Sequence, residues 1–133
     1  MNESLEAFKQ GMFSLEKKQF ADASAYFEKA VEKNAQNIDH YYYLAYSYAK
    51  QGKFPLAMRL IRRALQLPQS NIKTYNLQEP YSSFFVLIGA IHEQQKVYPK
   101  AVRAYQKAIE LGTPKQEALE KRILDLKTRK KAL

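Results

Sequence analysis

One stretch of this chain is written three times, and that repetition limits what it can fold into more than any other feature. The phrase KKQFADASAYFEKAVEKNAQN returns as QGKFPLAMRLIRRALQLPQSN and again as QQKVYPKAVRAYQKAIELGTP. In register, an aromatic falls at Phe20, Phe54 and Tyr98, a small residue at Ala23, Ala57 and Ala101, and a bulky one at Phe27, Ile61 and Tyr105. Ala30, Ala64 and Ala108 follow, each with Val31, Leu65 or Ile109 behind it. The segments before these phrases align too, sharing a small position at Gly11, Ala45 and Gly89. The first step between copies is 34 residues and the second 44, so ten extra residues separate copies two and three. A fixed period of this size marks a stack of like units, each burying its apolar face on the next.

The spacing within a copy decides the type of unit. Phe20, Ala23, Phe27, Ala30 and Val31 recur every three to four residues. That paints one face of a helix, where a strand would alternate. Two helices cross closely only where one presents Gly or Ala, and large side chains on either side fill the remaining gap. Each copy therefore reads as a helical hairpin. Helices are expected at about 3–17, 20–34, 37–51, 54–67, 81–96, 98–111 and 114–131. The last segment, KQEALEKRILDLKTRKKAL, sets Leu119, Ile123 and Leu126 on one stripe and has no partner helix. It is expected to cap the open apolar end of the stack.

This arrangement resembles the tetratricopeptide repeat, whose 34-residue unit carries the W-x2-L-G-x2-Y…A-x3-F…P pattern. Copy two matches best, through Tyr41, Leu44, Ala45, Tyr48, Gly52, Phe54, Ala57 and Ala64. Copy one departs with Ala7, Gln10 and Ser14, and copy three with His92 where Tyr is usual. The closing Pro is displaced to Pro68 and Pro114, and Ala35 stands in copy one. The resemblance implies an all-α fold, a right-handed α-solenoid of three hairpins with a capping helix. Residues 1–133 are expected to form one domain, with repeats at about 4–37, 38–71 and 82–115, an insertion at 72–81 and the cap at about 114–131.

Few groups are available for catalysis. The chain has no cysteine, which removes disulfides, thiolate nucleophiles and cysteine metal sites. Only His40 and His92 could serve as imidazoles, and neither has a second ligand at metal spacing. Phosphate-cradling glycine motifs are absent, and the acidic residues are scattered along amphipathic faces. The expectation is a non-enzymatic protein without cofactor or metal. No apolar run approaches the roughly 20 residues that span a bilayer, and the start MNESLEAFKQ is unlike a secretory leader. A cytoplasmic location is expected.

The resemblance further implies that the first helix of each copy lines a concave groove. Those positions hold Leu5, Phe8, Met12 and Leu15 in copy one, and Asp39, Tyr42, Tyr43, Tyr46 and Lys50 in copy two. Copy three adds Ser83, Val86, Leu87, Ala90 and Glu93. The run Tyr41-Tyr42-Tyr43-Leu44-Ala45-Tyr46-Ser47-Tyr48 holds more rings than one helix face can bury. Tyr41, Leu44, Ala45 and Tyr48 satisfy the hairpin, which leaves Tyr42, Tyr43 and Tyr46 for a neighbouring hairpin or for a partner. Some family members grip an acidic peptide terminus with a Lys, Asn and Arg clamp. The matching positions here are Phe8, Met12, Tyr43, Ser83 and Leu87, so an apolar or amphipathic segment suits the groove better. In the insertion, Tyr75 and Leu77 are candidate anchors.

Charge supplies the last hint. A net charge of +9 gathers at Arg59, Arg62 and Arg63, at Lys100, Arg103 and Lys107, and in the run from Lys127 to Lys131. The Arg59, Arg62, Arg63, Arg103 and Lys107 group could dock an acidic protein; a solvated face is the plainer reading. Nucleic acid is disfavoured, because these runs belong to no recognised nucleic-acid module. The sequence thus reads as a protein-binding adaptor. Its alternatives are a secretion-type chaperone for a client protein and a self-associating scaffold, including a homodimer.

Overall fold

The structure, a computed structural model, describes residues 2–68 and 80–132. Among them are seven α-helices and no β-strand: α1 (Glu3–Glu16), α2 (Phe20–Lys33), α3 (Ile38–Lys50), α4 (Phe54–Leu65), α5 (Pro80–Gln94), α6 (Tyr98–Glu110) and α7 (Gln116–Ala132). Every expected helix is present, with its ends displaced by at most two residues. Most of the expected insertion, Tyr75 and Leu77 included, lies outside the described residues; its last positions, Pro80 and Tyr81, open α5. The chain divides into two compact units, Met1–Leu77 with α1 to α4 and Gln78–Leu133 with α5 to α7.

In the first unit α1 packs on α2, α2 on α3 and α3 on α4. The repeated small positions are where the backbones meet: Ala23, Ala30, Ala45, Ala57 and Ala64 have no exposed surface. The large partner at each crossing, Phe27 or Ile61, is equally enclosed. Gly11 shows how tight the fit is, because a Cβ placed there would lie 2.5 Å from the Phe27 ring. In the second unit Gly89 meets Tyr105 in the same way. At the matching positions of copy two stand Ala45 and Ile61, both without exposed surface, where the other two copies pair glycine with a ring.

Each hairpin also turns by one device. The left-handed residue after α1, α3 and α5 is Lys18, Gly52 and Lys96, with φ of 59°, 75° and 63°. In each turn two backbone N–H groups return to the helix end: Lys18 to Leu15 and Gln19 to Ser14, Gly52 to Ala49 and Lys53 to Tyr48, Lys96 to Glu93 and Val97 to His92. This paired closure satisfies carbonyls that a helix end otherwise leaves without partners. Only copy two uses the residue that adopts this conformation freely; the two lysines hold it at a cost of about 1–2 kcal/mol each. The second helix then starts without a side-chain cap, and Pro55 and Pro99 sit in the first turn of α4 and α6, where no backbone donor is needed.

The second unit ends as expected of a capped stack. Leu119, Ile123 and Leu126 of α7 are buried with Ala101, Val102, Tyr105 and Ala108 of α6. A latch fixes the cap. Glu93 on α5 accepts hydrogen bonds from Arg122 Nε at 2.9 Å and from the Tyr105 hydroxyl at 2.9 Å, and the second Arg122 nitrogen pairs with its other oxygen.

Two stability outcomes follow from this packing. Gly11→Ala should cost about 1–3 kcal/mol by overfilling a closed crossing. In a Phe27→Leu background the same change should cost less than half as much. A denaturant-melt double-mutant cycle measures this, and an undiminished cost would show that the ring is not the obstacle. Lys18→Gly should raise stability by up to about 1 kcal/mol through relief of the left-handed strain. Gly52→Ala should lower it, although its Cβ would meet nothing within 4 Å. Unchanged melting of both would remove the strain argument.

Candidate functional site

Helix α3 carries more large side chains than its own hairpin can bury. Ile38, Tyr41, Leu44, Ala45 and Tyr48 are in the core. They are held by polar closures as well as packing: the Tyr41 hydroxyl donates to the Ala35 carbonyl at 2.8 Å, and the Tyr48 hydroxyl donates to Glu28 on α2. The N-terminus is equally fixed, with buried Asn37 accepting from the Asp39 amide at 2.9 Å. These contacts set the rotation of α3 and so decide which way the remaining tyrosines point.

Tyr42, Tyr43 and Tyr46 remain, all half-buried. They form a ladder: Tyr42 meets Tyr43 edge-on at 5.1 Å, and Tyr42 lies nearly parallel to Tyr46 at 6.4 Å. Tyr43 continues it inward, edge-on to Phe8 at 5.6 Å and tilted on Phe27 at 5.9 Å. The outer end is marked by Lys50, whose ammonium lies 5.5 Å from the centre of the Tyr46 ring. Burial, reinforced by the neighbouring Tyr43 and Tyr46, raises the Tyr42 pKa to about 12, so its phenol stays neutral and can donate a hydrogen bond. Half-buried Leu5, Met12 and Leu15 stand on α1, the first helix of the neighbouring copy.

Several expected positions take other roles. Phe8 is only 6% exposed and stacks among Phe27, His40 and Tyr43, so it supports the aromatic face from beneath and does not line it. Asp39, expected in the groove, is fully buried. The second unit repeats this outcome: Val86 and Ala90 are half-buried, whereas Leu87 is buried at 5% exposure. Glu93 there belongs to the cap latch. Each correction has one cause, since the repeat pattern describes packing within a hairpin and is silent about neighbours that cover its other sides.

The basic positions separate by unit. Arg59, Arg62 and Arg63 are exposed on α4. Arg103 and Lys107 are exposed on α6 in the second unit, where Lys107 reaches Glu110 at 3.8 Å. Among the described residues no group of three or more His, Cys, Asp or Glu could hold a metal ion. No helix among them is long and apolar enough to cross a membrane.

The two histidines carry a pH consequence. His40 is fully buried, and its ring Nδ1–H donates to the Ala30 carbonyl at 3.1 Å. Burial lowers its pKa from 6.5, against the opposing pull of the Ala30 and Asn34 carbonyls and of Asp39. His92 is lowered too, first by burial, then by Lys100 and Arg103, with Gln95 opposing.

Residues 14–72 match the sequence model of the family described as Tetratricopeptide repeat. Solved structures agree over nearly the whole chain. The first such domain of Spaghetti (RPAP3), bound to the HSP90 peptide SRMEEVD, superposes with a TM-score of 0.77 at 16% identity, covering 96% of this chain and 92% of that one. The N-terminal domain of stress-induced protein-1 from C. elegans gives 0.74 at 18% identity, covering 93% and 94%. The Arabidopsis OM64 domain gives 0.71 at 19% identity, covering 90% and 93%.

Because the unfolded chain takes up protons on histidine at a higher pH than the folded one does, the histidine contribution to stability is complete above pH 6.5 and shrinks as the pH falls below it. Melting temperature should fall between about pH 7.5 and about pH 5.5, and His40→Gln should flatten the slope whatever it does to the level. An equal slope in the variant would assign the effect elsewhere.

Proposed function

Because this chain is built of tetratricopeptide repeats, we propose that it is a non-enzymatic interaction module holding an apolar or amphipathic segment of another protein on the α1 and α3 face of its first unit. The observation that carries this reading is the ladder of Tyr42, Tyr43 and Tyr46, three half-buried rings left over once α3 has filled its own hairpin. Tyrosine suits this role because it offers a large apolar area, a hydroxyl for orientation and little rotamer entropy to lose. Leu5, Met12 and Leu15 extend the apolar surface on α1, and Lys50 gives one end a positive charge. On the second unit, Val86 and Ala90 are the counterparts.

The chemistry of the face argues for the kind of segment. The Spaghetti domain is seen with an acidic peptide. Here the positions that the resemblance assigns to a carboxylate clamp hold Phe8, Met12, Tyr43, Ser83 and Leu87, which offer no cationic group. With Phe8 and Leu87 buried, a segment that presents bulky apolar side chains at helical or extended spacing suits half-buried Met12 and Tyr43; a carboxylate does not. Nothing in this arrangement supports catalysis: His40 is fully buried with its ring bound to the Ala30 carbonyl, and among the described residues no cluster of three or more His, Cys, Asp or Glu gathers beside His92 to act with it.

The test compares two ring deletions. Tyr46→Ala removes a half-buried ring from the ladder, and Phe13→Ala removes a ring that is 54% exposed on α1 outside it. With wild-type protein as bait in native lysate, a retained partner should lose affinity by on the order of tenfold or more with Tyr46→Ala, the size of an interface hot spot. Phe13→Ala should leave it within about twofold. Equal retention by all three proteins, with melting curves showing each folded, would end this assignment.

A further inference from the structure

On the other side of the first unit, between α2 and α4, lies a groove of about 500 Å³ that the tyrosine face does not use. Its floor is apolar: Val31, Leu44 and Leu60 line it, with the Tyr48 ring beside them. Leu56 stands at its lip, 38% exposed. The two walls carry opposite charge. Glu28 and Glu32 line it from α2, and Arg59 and Arg63 from α4.

The basic wall is held ready and is not spent on internal pairing. The Arg63 guanidinium lies 5.4 Å from the centre of the buried Tyr41 ring, a contact that leaves its charge without a carboxylate partner among the described residues. Arg59 is one helical turn earlier on the same face. The ion pairs among the described residues join Lys33 to Glu3, Lys107 to Glu110, Lys121 to Glu117, and Arg122 to Glu93 and Asp125; neither groove arginine takes part. Arg62, the third arginine of the run, does not line the groove.

We propose that this groove docks an amphipathic helix of a partner protein, with an apolar stripe against Leu44, Leu56 and Leu60, carboxylates on the flank facing Arg59 and Arg63, and basic residues on the flank facing Glu28 and Glu32. A third helix fits the valley between two others by setting its ridge of side chains into the groove. The paired walls then select both its flanks and its direction, because reversing it sets like charges together. The acidic wall also argues against nucleic acid, whose phosphates would meet Glu28 and Glu32 on one side.

The probe is a synthetic helical peptide with leucines at i, i+3, i+4 and i+7, glutamates on one flank and lysines on the other. A second peptide carries lysines on both flanks. Amide NMR titration of the wild-type protein with the first should shift Leu44, Leu56 and Leu60, while Leu5, Met12 and Tyr46 hold still. Arg59→Glu with Arg63→Glu should weaken that peptide by on the order of tenfold and strengthen the all-lysine one. Arg62→Glu, with one charge reversed outside the groove, should change either peptide by less than about threefold. These residues are exposed, and a melting curve of each variant checks that it folds. The proposal is overturned if no peptide binds, if the shifts fall on Leu5, Met12 and Tyr46 in place of Leu44, Leu56 and Leu60, if the double reversal leaves both affinities unchanged, or if random single-stranded RNA displaces the peptide with the same arginine dependence.

Discussion

Everything in this molecule depends on how closely the two helices of a hairpin can approach. Gly11 under Phe27 and Gly89 under Tyr105 are one contact made twice, a missing side chain on one helix filled by a large one from the other, and fully enclosed Ala45 and Ile61 hold the same register positions in copy two. Where that contact is closed, Ala23, Ala57 and Ala101 are sealed as well, and the hairpin becomes a rigid plate. The left-handed turn residues follow from it. Once the crossing is set, the chain has only Lys17 to Gln19, Gln51 to Lys53 or Gln95 to Val97 in which to reverse. Lys18 and Lys96 accept a conformation that copy two gives to glycine, and packing of the two helices offsets that local strain.

A rigid hairpin has a limited number of inward positions, and that limit creates the surfaces available for binding. α3 meets it with Tyr41, Leu44, Ala45 and Tyr48 and still has three tyrosines left. The rings are ordered against one another and against Phe8, so a partner would meet a preorganised surface. The same arithmetic applies behind the hairpins. α2 and α4 spend their small residues on the crossings and turn Glu28, Glu32, Arg59 and Arg63 to the outside, leaving Leu56 and Leu60 in a valley between opposite charges.

The fold was legible because the crossing writes itself into the residue types: only Gly or Ala fits on one side and only a large apolar group on the other. The seven helices and the stripe Leu119, Ile123 and Leu126 on the cap follow from spacing alone. The candidate site was legible in part. Counting tyrosines against the helical period singled out Tyr42, Tyr43 and Tyr46, and they are the half-buried ones. Phe8, Asp39 and Leu87 were placed on the surface by position in the repeat, yet they are buried, since what covers a face depends on contacts distant in sequence. The latch from Arg122 to Glu93 spans 29 residues and has no local signature. Nor does the α2 and α4 groove, because its charges look like ordinary solvated positions until the floor between them is seen.

The most direct measurement of the central claim, that rings surplus to hairpin packing form the recognition surface, is fluorine NMR of protein labelled with fluorotyrosine during titration with the captured partner segment. The resonances of Tyr42, Tyr43 and Tyr46 should move with occupancy, and those of Tyr41 and Tyr48, locked in the core, should stay in place. Saturating binding that leaves the first three unmoved, or that shifts only Tyr98 and Tyr105 of the second unit, would contradict the account.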